Sequence, residues 1–285
     1  MKRFTTSLTI GALCLAGVLS AREVMVKGSD TMLNLTQRLA EAFSSVNPDV
    51  TVSVAGGGSG VGINAVVNGE VEVGNSSRSI KSKEISSARS NGVNPVEYAI
   101  AVDGLCVITN PKNPVKKLTM TQLGDIYRGK IKSWSEVGGA RKAISLYGRQ
   151  PNSGTFVFFR EMAVKAEYAQ SMRQMNGNAQ IVEGVKADEG GIGYVGVGYA
   201  GEGSVNVVEL SGDGTAYSSP LDRAAVEDGT YPLARPLFQY TNGKARGDAK
   251  AFIEFELGPA GQKIVEEEGF FPINKSLVEK NRGNL

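Results

Sequence analysis

The chain of 285 residues contains no histidine. Ser-His-Asp and Cys-His nucleophilic catalysis are therefore excluded, most zinc sites lose their commonest ligand, and proton transfer is left to carboxylates, Lys and Tyr. Cysteine is almost as scarce. Cys14 lies in an apolar N-terminal run and Cys106 stands alone in the rest of the chain, so no disulfide can form once that run is removed. Cys106 sits in the apolar stretch Gly104-Leu105-Cys106-Val107-Ile108, where a buried, inert thiol is expected. The single tryptophan, Trp134, falls between Ser133 and Ser135 and is expected to pack rather than to stack on a ligand. The N-terminal apolar run, Leu8 to Leu19, is shorter than the ~20 residues a membrane crossing requires.

That run follows a basic start, Met1-Lys2-Arg3, and ends in small residues, Ser20-Ala21, before Arg22-Glu23. It predicts a secretory signal peptide over residues 1–21, cleaved after Ala21. The balance of 31 Lys+Arg against 29 Asp+Glu becomes level when Lys2 and Arg3 leave with the leader. Neither a nucleic-acid footprint nor a polybasic membrane patch is indicated. Hydrophobic (41%) and charged (21%) fractions are those of an ordinary globular protein of one or two domains.

One local pattern recurs along the chain. Glu23 to Gly28 alternates like a strand, Ser29-Asp30-Thr31 form a polar turn, and Met32, Leu35, Leu39, Ala42 and Val46 repeat at helical spacing up to Asn47-Pro48. Val50 to Ala55, the run Gly56 to Gly62 containing Ser59, and an apolar helix Ile63 to Val67 repeat the unit. Val71 to Gly74, Asn75-Ser76-Ser77-Arg78-Ser79 and a helix from about Lys81 to Ser90 form a third. Ile144 to Tyr147, Arg149-Gln150-Pro151-Asn152-Ser153-Gly154-Thr155 and a helix Phe156 to Lys165 form a fourth.

Strands alternating with helices predict a parallel α/β sheet with its ligand outside the carboxyl ends of the strands. The apolar stretch Val96 to Asn110 reads as one strand crossing between lobes, and Tyr231 to Tyr240 as the return. Lys250 to Glu267 reads as a helix broken near Gly258-Pro259. The expected architecture is two interleaved α/β lobes joined by two crossover segments, one built from residues 22–102 and 232–285 and the other from residues 103–231. Residues 190–201 contain G-x-G-x-x-G twice, but the alternating Ile192, Tyr194 and Val195, Val197 suit a strand and no amphipathic helix follows, so no dinucleotide site is expected.

The four turns together offer two Arg forks, several hydroxyls and helix starts, with few groups to accept protons. That inventory suits a small tetrahedral oxyanion held in a dehydrated cleft. Four unrelated helix caps would account for the Ser, Thr and Asp, but not also for two Arg and a glycine run that lets backbone approach closely.

On these residues the chain resembles the periplasmic phosphate-binding proteins of ABC transporters. The resemblance rests on Lys27-Gly28-Ser29-Asp30-Thr31, Gly57-Gly58-Ser59-Gly60, Gly74-Asn75-Ser76-Ser77-Arg78 and, most specifically, Arg149-x-x-x-Ser153-Gly154-Thr155. Gly191 to Gly196 and Tyr231 to Leu237 extend it over nearly all of the chain after the leader. It implies a type II periplasmic binding fold that closes on inorganic phosphate and delivers it to a membrane permease, without catalysis, cofactor or metal.

The ligand residues so implied are Ser29, Thr31, Ser59, Ser77, Arg78, Arg149, Ser153, Gly154 and Thr155, with Met32 beside Thr31 in the first loop. Some members of the family carry an Asp in the third loop that accepts the phosphate proton. Here Ser77 and Arg78 stand there, which leaves Asp30 either as the acceptor or as a helix cap. A monomer in the periplasm is expected, with no nucleic-acid partner. Other oxyanions (sulfate, molybdate, tungstate), a secreted phosphate-ester hydrolase, and a surface role on the same scaffold are the alternatives. The hydrolase would need carboxylate-held metal, for which the turns offer no clustered Asp or Glu.

Overall fold

The computed structural model describes residues 22–201 and 203–285; the leader expected over residues 1–21 lies outside the described residues. Strand β1 (Arg22–Gly28) buries Val24 and Val26 on one face, as its alternation dictates. It leads through a polar turn into helix α1 (Leu33–Val46), whose Leu35, Leu39 and Phe43 recur at helical spacing and are buried. β2 (Val50–Ala55), α2 (Ser59–Val67), β3 (Val73–Ser76) and α3 (Ser82–Ser90) repeat the unit.

The stretch expected as one crossing strand is two, β4 (Pro95–Gly104) and β5 (Cys106–Thr109), parted at Leu105, whose N–H bonds to the Leu233 carbonyl. A single apolar run cannot reveal that its halves join different sheets.

There follow β6 (Lys117–Thr119), α4 (Met120–Tyr127), β7 (Ser145–Arg149) and α5 (Gly154–Phe159), which runs on into a π-helical turn, Arg160–Val164. β8 (Arg173–Met175), α6 (Asn178–Ala187), β9 (Gly191–Val195), β10 (Asn206–Ser211) and α7 (Arg223–Glu227) precede the return strand β11 (Ala234–Asn242). The expected broken helix is α8 (Gly247–Leu257) and α9 (Pro259–Glu267), with Pro259 where a helix tolerates it, at the start; α10 (Lys275–Asn284) closes the chain.

The strands form two sheets, β2-β1-β3-β11-β4 and β6-β10-β5-β9-β7-β8. The first draws on residues 22–104 and 234–242 and the second on residues 106–211, so the chain leaves the first sheet at Leu105 and returns at Ala234. Neither sheet is all parallel. β1 runs parallel to β2 and β3, but β11 is antiparallel to β3 and β4, and β5 is antiparallel to β9 and β10. The alternation of strand and helix is a rule for sequential units, and the strands that break it are those that carry the chain between sheets.

Two aromatic clusters anchor the cores. Phe43 meets Phe252 and Phe255 edge-on at 5.4 and 5.7 Å between ring centroids, locking α1 to α8. In the second sheet Tyr194 stacks on Phe159 at 4.1 Å, with Tyr127 and Tyr168 packed around them. Trp134 is buried and donates its indole N–H to the Gly190 carbonyl at 2.9 Å, the packing role expected for it. Cys106 is likewise buried, and burial pushes its thiol well above the ordinary value. The strand expected through Val197 ends at Val195 and gives way to a short 3-10 turn, Val197–Tyr199. Among the described residues no helix is long and apolar enough to cross a membrane.

Candidate functional site

The turns after β1, β2, β3 and β7 meet in one place. Thr31 Oγ1 lies 2.7 Å from Thr155 Oγ1, Ser59 Oγ lies 3.3 Å from Ser77 Oγ, and Ser77 Oγ lies 3.4 Å from Thr155 Oγ1. Thr31, Ser59, Ser77, Ser153 and Thr155 are all almost wholly buried. The sequence separations are 124 residues for Thr31 and Thr155 and 78 for Ser77 and Thr155, so it is tertiary folding that gathers the hydroxyls.

Gly154 makes that approach possible. A Cβ there would collide with Ser59 Oγ and lie 2.7 Å from Ser77 Oγ, so any side chain would part the loops. Gly58, at φ +92°, does the same on the other side, where a Cβ would lie 2.7 Å from the Asn152 carbonyl oxygen. Asn152 holds the second loop directly: its carbonyl accepts from Gly60 N–H at 3.0 Å and its amide donates to the Gly57 carbonyl at 2.8 Å.

Arg149, at the end of β7, is 1% exposed. Its backbone N–H donates to the Tyr194 hydroxyl at 3.1 Å, which ties the arginine to the aromatic core. Burial raises that phenol to about 12, so it stays a neutral hydrogen-bonding group. The guanidinium donates through Nε to the Met175 carbonyl and through Nη2 to the Asn176 carbonyl and to Asp30 Oδ2. Nη1 is buried and has no hydrogen-bond partner. A charged donor nitrogen without a partner in a buried place is costly unless something accepts from it.

Asp30 does not cap its helix. Its Oδ1 accepts from Gly57 N–H at 2.8 Å and its Oδ2 from Arg149, while the cap position of α1 is Met32, which makes no side-chain cap bond. Ser29 is buried in the same turn, which it shapes through its backbone: its N–H donates to the Asn75 carbonyl and its carbonyl accepts from Met32 N–H. Ser153 caps α5 by accepting from Phe156 N–H at 3.3 Å.

Arg78 lies apart from this arrangement in its bonding. Its fork closes on Glu84, Nη1 to Oε2 at 2.8 Å and Nη2 to Oε1 at 2.6 Å, and Nη1 also donates to the Ser79 carbonyl. Burial alone would raise the Glu84 carboxyl, but Arg78 and the Lys81 N–H outweigh it and hold the group below its ordinary value. The pair fastens the third turn to the start of α3.

The second arginine at the hydroxyls is Arg235 instead, on the return strand β11. It donates to Asp103 through Nε (3.0 Å) and Nη2 (2.8 Å), to the Ser77 carbonyl through Nη1 (2.9 Å), and to Thr155 Oγ1 through Nη2 (3.0 Å). Asp103, fully buried at the end of β4, pairs with Arg235 in the sheet register and accepts from Val197 N–H at 2.8 Å. The sequence carried a signal for this pair: Asp103 interrupts an apolar stretch and Arg235 sits within a mostly apolar strand. Each is out of place unless it has a partner.

In chemical terms the site is a buried cluster of hydroxyls bonded to the Arg235 guanidinium, with a second guanidinium, Arg149, held by Asp30 next to Thr31 and keeping one donor without a partner. Such a set can hold an anion by charge-assisted hydrogen bonds. No group of three or more His, Cys, Asp or Glu that could hold a metal ion occurs among the described residues.

The PBP superfamily domain model matches residues 16–259. The chain is 31% identical over 271 residues to a phosphate-binding protein PstS of Pseudomonas aeruginosa, covering 89% of this chain and 84% of that protein. It is 33% identical over 270 residues to a phosphate-binding protein PstS of Staphylococcus saprophyticus, covering 92% and 84%. A crystal structure of a phosphate ABC transporter substrate-binding protein from Clostridium perfringens with bound phosphate superposes with a TM-score of 0.79 at 31% identity, covering 89% of this chain and all of that one.

Proposed function

Because the chain belongs to the PBP superfamily, and within it to the PstS phosphate-binding proteins, we propose that it captures inorganic phosphate and delivers it to the membrane permease of an ABC transporter. It acts as a carrier and not as an enzyme. The observation that carries the reading is the meeting of buried hydroxyls from four separate turns, together with the buried, unpartnered Arg149 Nη1 on a guanidinium held by Asp30, the neighbour of Thr31. A tetrahedral anion supplies the acceptor that this nitrogen lacks. It also replaces hydroxyl-to-hydroxyl contacts with bonds to charged oxygens, which are stronger.

On this reading the protein has a type II periplasmic binding fold, with residues 22–102 and 232–285 as one lobe and 103–231 as the other. Thr31, Ser59 and Ser77 come from the first lobe, and Arg149, Ser153, Gly154 and Thr155 from the second. An anion touching both stabilises the closed arrangement in proportion to its extra contacts there. Asp30 fixes Arg149 across the cleft, and the remaining lone pairs of its carboxylate are available to accept the phosphate proton. Arg78 serves the third loop through Glu84, not through the anion. With the export signal expected over residues 1–21 the reading is of an extracytoplasmic, periplasmic carrier; that it works as a monomer without a nucleic-acid partner is part of the same proposal.

Isothermal titration of the mature chain, residues 22–285, with inorganic phosphate in excess sulfate tests the reading. Saturable one-to-one binding that survives the sulfate supports it. Failure to bind phosphate, or displacement by sulfate or molybdate at equal concentration, overturns it in favour of another oxyanion.

A further inference from the structure

Two glycines of the second turn, Gly58 and Gly60, stand against Asn152 of the fourth. A Cβ would lie 2.7 Å from the Asn152 carbonyl oxygen at Gly58 and 3.3 Å from it at Gly60. The two turns belong to different sheets, one following β2 and the other following β7. Resting on the phosphate reading, we propose that Asn152 is a positioning residue, which clasps the second turn from across the cleft and so slows release of the anion without touching it.

Asn152 makes two bonds across this seam. Its carbonyl accepts from Gly60 N–H at 3.0 Å, and its side-chain amide donates to the Gly57 carbonyl at 2.8 Å. Gly57 is thereby held at both ends, because its own N–H donates to Asp30 Oδ1 at 2.8 Å. Gly58 has to be glycine on two counts, its φ of +92° and the closeness of the Asn152 carbonyl. The contacts of Thr31 with Thr155 and of Asp30 with Arg149 also pass between the sheets, but each includes groups assigned to the anion. Gly57, Gly60 and Asn152 are outside that set.

The Asn152 side chain is not what shapes its own turn. Ser153 N–H closes that turn on the Gln150 carbonyl at 3.0 Å, through the backbone alone. The neighbouring Gln150 offers a contrast, since its amide donates to Asn176 Oδ1 at 2.7 Å, inside its own lobe. Asn152 is exposed at the rim and directs its amide to the other lobe.

An anion enters while the lobes are apart, when neither Asn152 bond is made. Both bonds form as the lobes meet, and both have to break before the anion leaves. A contact present only in the closed arrangement raises the population of that arrangement, and it lengthens the stay of whatever is enclosed while leaving capture unhindered.

The test loads the mature protein with radiolabelled inorganic phosphate, chases it with excess unlabelled phosphate, and follows release by rapid filtration; uptake of the label gives the association rate. Asn152→Ala is expected to speed release about fivefold, the effect of one ordinary hydrogen bond, with association no slower than in the parent and native circular dichroism. Gln150→Ala is expected to leave release unchanged. Gly58→Ala drives a methyl group against the Asn152 carbonyl and is expected to speed release as well. Adding Asn152→Ala to it is expected to bring little more, because both changes act on one contact.

Release at the parent's rate in Asn152→Ala, slower association there, an equal effect of Gln150→Ala, or effects at Gly58 and Asn152 that multiply would each overturn the proposal. A parent protein that does not bind phosphate overturns instead the reading on which it rests.

Discussion

Arg78 and Arg149 occupy equivalent places, each in a serine-bearing turn after a strand and before a helix, and both are buried. Their partners differ. Arg78 is bonded within its own unit, two-pronged to Glu84 six residues on and to the Ser79 carbonyl, so both terminal nitrogens of its fork are paired locally and only the inner Nε is buried without a partner. Arg149 reaches Asp30 across 119 residues of sequence and keeps one buried nitrogen without an acceptor. A cation beside a polar turn is therefore not in itself a ligand. Both keep a buried nitrogen unpaired; what sets Arg149 apart is that its unpaired nitrogen is at the open end of the fork and that the guanidinium is held by a distant turn instead of by its own unit.

The comparison breaks most directly at Arg149. Arg149→Ala is expected to weaken phosphate binding by at least about a hundredfold, since truncating a buried hydrogen-bonded charge costs several kcal/mol, while circular dichroism stays native. Retained affinity would put the two arginines on the same footing. Next in size is Gly154→Ala, which forces a methyl group against Ser59 Oγ and Ser77 Oγ; a loss of about tenfold or more in phosphate affinity is expected, in line with the usual cost of overpacking.

Arg78→Ala should behave in the opposite way. Its pair with Glu84 is largely buried, so thermal or urea unfolding should register a loss of about 2 kcal/mol, while phosphate affinity in calorimetry changes by less than about threefold. A large loss of affinity at native stability would restore Arg78 to the ligand set.

The smallest effect concerns pH. The folded Glu84 carboxyl lies below its unfolded value, so the unfolded chain binds the proton more readily. This carboxyl's contribution to stability is therefore present above the ordinary carboxylate range and is lost as pH falls through the folded value. Urea unfolding across the acid range should show a shallower loss in Glu84→Gln than in the parent, and an identical slope would remove Glu84 from the account.

Much of the site was legible because its chemistry is local. Ser29-Asp30-Thr31, Ser59, Ser77 and Arg149 to Thr155 each announce themselves by hydroxyls and glycine placed between an alternating strand and a helix. Asp103 and Arg235 were not legible as part of the site. Their neighbours are apolar and carry no turn, and the two meet only because β4 and β11 pair antiparallel where the chain passes between the sheets. Asn152, read as part of a reversing turn, proved to hold the second loop as well, a contact between segments 95 residues apart.

By itself the sequence determined the repeated strand-turn-helix unit, the absence of histidine chemistry, the lone buried thiol and the polar character of four turns, because propensity, periodicity and residue chemistry act over a few positions. Tertiary structure decided which strands run antiparallel, that Arg78 closes on Glu84 while Arg149 is held by the distant Asp30, and that Arg235 stands behind Thr155. Those outcomes depend on which distant segments share a sheet and on which buried polar atoms find partners there. Both are properties of packing, which no short stretch of the chain contains.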